Sequence, residues 1–260
     1  MHYFARQFGM HTINRYSADD LITPCVITVG SLLNWLPGAC PCTIIGTGLI
    51  QDPKVVFNQF PFGLDIRGVR GPLTAAIADV GGEAESISDP ALLLPRVFPR
   101  EDFEASTHGE PHNAGAADAR HEIGFIIHTV DRESFFAAYP QYREHLIDNH
   151  QPMMTHFLAR LFQYKRVLSS GLHGAVIAHA YGIPVAVFQV TDLIIGGDFK
   201  FVDYFQSVGH HSFTTRPRLE DIGNFSVAAI VEFVNNFWQP EASYVESLRQ
   251  KQEILIRDYL

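Results

Sequence analysis

Residues 166–189 read RVLSSGLHGAVIAHAYGIPVAVFQ. Val167 and Leu168 form a short apolar run that ends at Ser169-Ser170-Gly171. A segment rich in small residues follows from about Leu172 to Tyr181, and its composition suits a helix. Gly182 stops that helix, and Pro184 precedes a second apolar run from Val185 to Val190. The stretch therefore predicts strand, helix and strand in one compact unit. A helix that starts directly after a strand aims its backbone N–H groups outward, which favours an anion there. His173 stands in the first turn of this helix, beside Ser169 and Ser170.

The same grammar extends outward along the chain. Val26 to Val29 runs into Gly30-Ser31, Thr43 to Ile45 into Gly46-Thr47-Gly48, and Gly124 to Ile127 into His128. Short apolar runs without alternation suit strands covered on both faces, as in parallel sheets. Helical patterns lie between them: Pro72 to Val80, closed by Gly81-Gly82, and Met153 to Tyr164, with Met154, Phe157, Leu158, Leu161 and Phe162 at helical spacing. Ser226 to Phe237 and Tyr244 to Tyr259 read as two closing helices. Strands alternating with helices predict an α/β fold. The polar, aperiodic segment 99–121 reads as a junction. It divides the chain into an N-terminal Rossmann-like half, 1–105, and a C-terminal Rossmann-like half, 121–260, that carries the closing helices.

Bulk properties narrow the partners. The chain has 260 residues and a net charge of −9, so it lacks the basic excess of a nucleic-acid binder. A local cluster of Arg, Lys and His still suffices for a small anion. Three cysteines, Cys25, Cys40 and Cys42, are too few for a disulfide framework and are expected to be reduced thiols of a cytoplasmic protein. The first twenty residues lack the apolar core of a signal peptide, and no apolar stretch reaches the length of a membrane span.

Several residues stand where chemistry is expected. Arg70 precedes a helix start in Val69-Arg70-Gly71-Pro72-Leu73-Thr74, where a guanidinium fork and helix N–H groups make a carboxylate or phosphate cradle. The alternative is an arginine paired with an acid of the chain. His128 ends a strand, the position that faces the ligand crevice of an α/β sheet. Gly46 and Gly48 form half of a dinucleotide fingerprint or a tight turn after a strand; Gln51 breaks the full pattern. Asp89, before Pro90, either orients a ligand or caps the next turn. Lys200 follows the glycine-rich loop at Gly196-Gly197 and offers a charge that the loop can fold onto a ligand. His210-His211 and the set His108, His112 and His121 lack acidic partners at ligand spacing, so no metal site is expected.

Taken in order, these pieces resemble the polysaccharide pyruvyl transferase family. The resemblance rests on Asp19-Asp20-Leu21 with Pro24, Val29-Gly30-Ser31-Leu32-Leu33, Ile45-Gly46-Thr47-Gly48, Val69-Arg70-Gly71-Pro72-Leu73-Thr74 and Asp89-Pro90-Ala91-Leu92-Leu93. It continues through Ile126-Ile127-His128, Leu172-His173-Gly174, Ala178-His179-Ala180-Tyr181-Gly182-Ile183-Pro184, Lys200 and Asp203-Tyr204. It implies two Rossmann-like halves facing a cleft, a glycosyltransferase-B-like build. It also implies ketal-forming transfer of pyruvate from phosphoenolpyruvate, with no other cofactor, to a sugar of a polysaccharide or its lipid-linked precursor, in the cytoplasm at the inner face of the membrane. His173 then serves as acid/base or phosphate ligand, and His128 as its counterpart across the cleft. Arg70, Ser169, Ser170, Lys200, Gly46, Gly48 and Asp89 line the substrates. The chain departs from the family pattern at Gly171, where members often carry Arg, and at Asn14 to Asp20, which lacks the usual glycine. A nucleotide-sugar glycosyltransferase of the same build, or a catalytically silent carbohydrate-binding homologue, are the alternative readings.

Overall fold

The computed structural model describes residues 25–35, 42–52, 64–78, 85–107, 120–151 and 153–259. The pieces at 14–24, Cys40, Gly81-Gly82, His108 and His112 lie outside the described residues. The fold is mixed α/β, with two parallel three-stranded sheets. Contacts group the chain into two compact units: Met1–Leu93 with Ile195–Thr215 and Pro240–Leu260, and Leu94–Ile194 with Arg216–Gln239. This division differs from a single cut between 105 and 121. Two later segments, including Lys200 and the last helix, belong with the N-terminal residues.

In the first unit the strands are β1 (Cys25–Ile27), β2 (Cys42–Ile45) and β3 (Asp65–Gly68), in that order. β2 is buried throughout, which explains its unbroken apolar reading. Helix α1 (Pro72–Ala78) starts with Pro at its first position, where the missing N–H costs no bond. Ile27, Leu33, Ile44, Leu49, Val69 and Ala78 form the core. Cys42 packs among them and is disulfide-bonded, so the reduced-thiol expectation does not hold at that position.

In the second unit α2 (Leu94–Val97) and α3 (Arg100–Thr107) precede β4 (Gly124–Ile126). The expected junction thus begins as a helix, with Glu101 and Asp102 in its first turn. After β4 come α4 (Arg132–Ala138), α5 (Met154–Leu161), β5 (Val167–Ser169), α6 (Leu172–Ala180) and β6 (Val185–Val187). The strands are buried and parallel, in the order β4-β5-β6. Phe125, Phe135, Tyr142, Phe188 and Phe225 build an aromatic core on this sheet, and the Tyr142 hydroxyl donates to the Phe225 carbonyl at 2.7 Å. Gly174 lets α6 sit close to the sheet, because a Cβ there would lie 2.3 Å from Ser169 Oγ.

The remaining helices are α7 (Phe199–Ser207) in the first unit, α8 (Val227–Asn236) in the second, and α9 (Ala242–Tyr259) in the first. Among the described residues no helix is long and apolar enough to cross a membrane.

Candidate functional site

The carboxyl edge of the β4-β5-β6 sheet gathers four of the expected residues, His128, Ser169, Ser170 and His173, with two others. β4 and β5 are neighbours, with Ile126 opposite Ser169. Past the strands, the His128 backbone N–H donates to Ser170 Oγ at 2.9 Å. This bond ties the turn after β4 to the turn that opens α6. His128 is half-buried and caps a short 3-10 turn, its Nδ1 accepting from the Val130 N–H at 3.4 Å. His173 is exposed on the first turn of α6. The two histidines therefore share one sheet edge, because their strands are adjacent; His128 does not face His173 from an opposite wall.

Ser169 and Ser170 shape the edge. Ser169 is fully buried, and its hydroxyl contacts the Ile126 carbonyl at 3.2 Å and the Gly171 carbonyl at 2.8 Å while accepting from the Gly171 N–H at 3.2 Å. Its one hydrogen is committed to the turn that aims α6, and full burial keeps the oxygen from solvent. Gly171, the N-cap of α6, has no side chain to cap the helix. A Cβ built on it would lie 3.7 Å from His128 Cδ2, an ordinary contact.

Arg216 is the cation that sequence reasoning missed. Its guanidinium Nη1 donates to the Ser170 carbonyl at 3.4 Å, and its side chain is almost wholly buried. The segment that delivers it is an extended one: Gln189, beyond β6, donates to the Pro217 carbonyl and accepts from the Leu219 N–H. Asp131 is a second missed residue. It is fully buried, with Oδ1 accepting from the Thr191 hydroxyl at 2.5 Å and Oδ2 without a hydrogen-bond partner. Neither residue carries a local signal, since each reaches the edge along a segment whose path depends on the sheet.

The remaining expected residues belong to the first unit and serve its interior. Arg70 is fully buried. Its Nε and Nη2 lie 3.1 Å from Asp203 Oδ2, Nη1 donates to Ser31 Oγ at 2.6 Å, and Nη2 donates to the Leu49 carbonyl at 2.6 Å. Asp203 in turn accepts from the Thr74 N–H at 2.9 Å and the Thr74 hydroxyl at 2.7 Å, at the start of α1. The expected cradle of guanidinium and helix N–H groups is real, but its anion is the chain's own carboxylate. Gly48 makes room for it, since a Cβ there would lie 2.6 Å from the Arg70 guanidinium. Gly46 has φ +88° and a Cβ there would lie 2.2 Å from Pro90 Cγ, so both glycines serve packing rather than a dinucleotide. Asp89 Oδ1 accepts from the Ala91 N–H at 2.9 Å and caps the following 3-10 turn. Lys200 lies on α7, just after the glycine-rich loop, is 9% exposed, and donates to the Ile195 carbonyl at 3.3 Å.

Comparison with known proteins finds similarity to "Uncharacterized protein L143" of Acanthamoeba polyphaga mimivirus. The two are 25% identical over 291 aligned residues, covering 99% of this chain and 94% of that protein. No family model matches the chain. No solved structure matches it. Among the described residues, no group of three or more His, Cys, Asp or Glu side chains is arranged to hold a metal ion.

Proposed function

We propose that the protein transfers pyruvate from phosphoenolpyruvate to a sugar, forming a ketal, with two α/β units of glycosyltransferase-B-like kind. The observation that carries this reading is the carboxyl edge of the second sheet. There an exposed His173 opens a glycine-capped helix beside His128, and the Arg216 guanidinium lies against Ser170. Phosphoenolpyruvate brings a phosphate and a carboxylate, which the start of α6 and a guanidinium attract. Ketal formation protonates the methylene carbon, adds one sugar hydroxyl at the central carbon, and lets a second hydroxyl displace inorganic phosphate. An imidazole acid and an imidazole base are suited to those proton transfers near neutral pH. His173 and His128 share these roles. The acceptor is a glycan or its lipid-linked precursor, met in the cytoplasm at the membrane's inner face.

A second reading is a carbohydrate-binding homologue without turnover. The engagement of Arg70 by Asp203 favours it, because one expected donor-binding cation is unavailable to a ligand. The two readings separate in one experiment. The protein is incubated with phosphoenolpyruvate and a panel of galactose, glucose and N-acetylmannosamine glycans, while phosphate release and acceptor mass are followed. Pyruvyl transfer gives both signals, and His173→Ala lowers the rate by about 10²–10⁴-fold. Glycan binding without phosphate release supports the silent homologue. No turnover together with no protection by phosphoenolpyruvate defeats the main reading.

A further inference from the structure

The opposite, amino edge of the same sheet carries a cavity of about 330 Å³, lined by His121, Glu144, His145 and Arg160. His121 precedes β4 and Tyr164 precedes β5, whereas His128 and Ser170 follow those strands. Backbone bonds extend the ladder to this edge: the His121 N–H donates to the Gln163 carbonyl at 2.8 Å, and the Lys165 N–H to the His121 carbonyl at 2.9 Å. The His121 and His145 rings are 5.6 Å apart in an edge-on arrangement, and both pack on the Tyr164 ring. Arg160 stacks on the same ring, 5.1 Å from its centroid. It is held further by donating to Gln163 Oε1 at 2.7 Å and to the Glu144 carbonyl.

A guanidinium has five N–H donors. Those two bonds leave the others on a group whose position is already fixed, so a ligand meets a preorganised cation. Tyr164 lies beneath the rings, fully buried, and its hydroxyl has no hydrogen-bond partner. Burial raises its phenol above the ordinary range, so it remains an O–H donor. Glu144 is mostly in solvent and lies 3.7 Å from His145 Nε2, where water screens its charge. A guanidinium lining the cavity disfavours a metal cation. A planar carboxylate is satisfied by the guanidinium fork alone, whereas an arginine and two imidazoles lining one cavity offer more than that fork, as a tetrahedral oxyanion can use. The volume exceeds that of phosphate itself, and the aromatic walls suit an organic remainder.

We propose that this cavity is a second ligand site, distinct from the carboxyl edge, that binds the phosphate group of a small phosphomonoester. The test follows the histidine ring resonances of the full chain by NMR while inorganic phosphate is added. His121 and His145 are expected to shift together along one saturable curve. Arg160→Ala is expected to weaken that curve at least about tenfold. His121→Gln, at an exposed position, provides a second variant that also weakens it while leaving Arg160 and His145 on the Tyr164 ring. His173→Ala, on the other sheet edge, is expected to leave it unchanged. Unmoved His121 and His145 resonances, wild-type affinity in both Arg160→Ala and His121→Gln, or loss of the curve in His173→Ala would each overturn the proposal.

Discussion

Arg70 and Asp203 form an ion pair at 3.1 Å with both side chains fully buried, 133 residues apart in sequence. Two charges removed from water are tolerated because each has further partners. Ser31 and Leu49 complete the guanidinium, and the Thr74 amide and hydroxyl complete the carboxylate. The pair fastens α7 to the start of α1 within the first unit.

Removing one partner is therefore expected to be costly. Arg70→Met should destabilise by about 3–5 kcal/mol, because Asp203 is left buried without its counter-charge. The double variant Arg70→Met/Asp203→Leu should lose less than the sum of the two single variants. Denaturant unfolding measures both, and a wild-type midpoint for Arg70→Met would contradict the structural role.

The glycines divide into required and permissive positions. Gly46→Ala meets both a positive φ and Pro90, and should cost roughly 2–4 kcal/mol. Gly171 has φ −104° and ψ 144°, an ordinary extended backbone. Gly171→Ala should change stability by less than about 1 kcal/mol, since its Cβ meets only ordinary contacts. Equal thermal shifts for the two variants would refute the distinction.

Gly171→Arg tests the carboxyl edge directly. A guanidinium at the start of α6 should tighten phosphoenolpyruvate binding several-fold, worth about 1 kcal/mol. Calorimetric titration reads it. Unchanged affinity in a folded variant would argue against an anion at this helix start.

His179 is fully buried in α6, and burial lowers its pKa to about 3. An unfolded histidine takes up a proton below about pH 6.5, whereas the folded one stays neutral until about pH 3. Between those values the unfolded state binds the extra proton, so stability falls as pH falls, by about 1.4 kcal/mol per pH unit from this group. Stability curves from pH 7 to pH 4 should be flatter for His179→Gln than for the wild type. Parallel curves would show that another group controls acid unfolding.

The aromatic core of the second unit gives a mutational reference. Phe125 is fully buried and packs on Phe135, Tyr142 and Phe225. Phe125→Ala should cost about 3–5 kcal/mol in thermal or denaturant unfolding. A smaller loss than Gly46→Ala would mean that the cluster is loosely packed.

Local pattern was enough to find most elements. The apolar runs became β1, β2, β4, β5 and β6, and the periodic segments became α1, α5, α6, α8 and α9, within a few residues at each end. Such elements are legible because burial on both faces, helical periodicity and Gly or Pro stops are properties of neighbours along the chain. α7 was not legible. Its approach, Gly196-Gly197-Asp198, carries loop chemistry, and burial of Asp203 in the helix contradicts its charge until Arg70 and Thr74 are placed beside it.

The sequence by itself determined an α/β protein with parallel strands, the strand-to-helix turn that carries His173, and the strand end that carries His128. Only the tertiary structure decided which anion the Arg70 cradle holds, that Arg216 reaches Ser170, and that the last helix belongs with the first unit. The reason is physical. Periodicity and turn chemistry are set over a few residues, whereas the partner of a buried charge is chosen by what the fold brings within about 3 Å, whatever its distance along the chain.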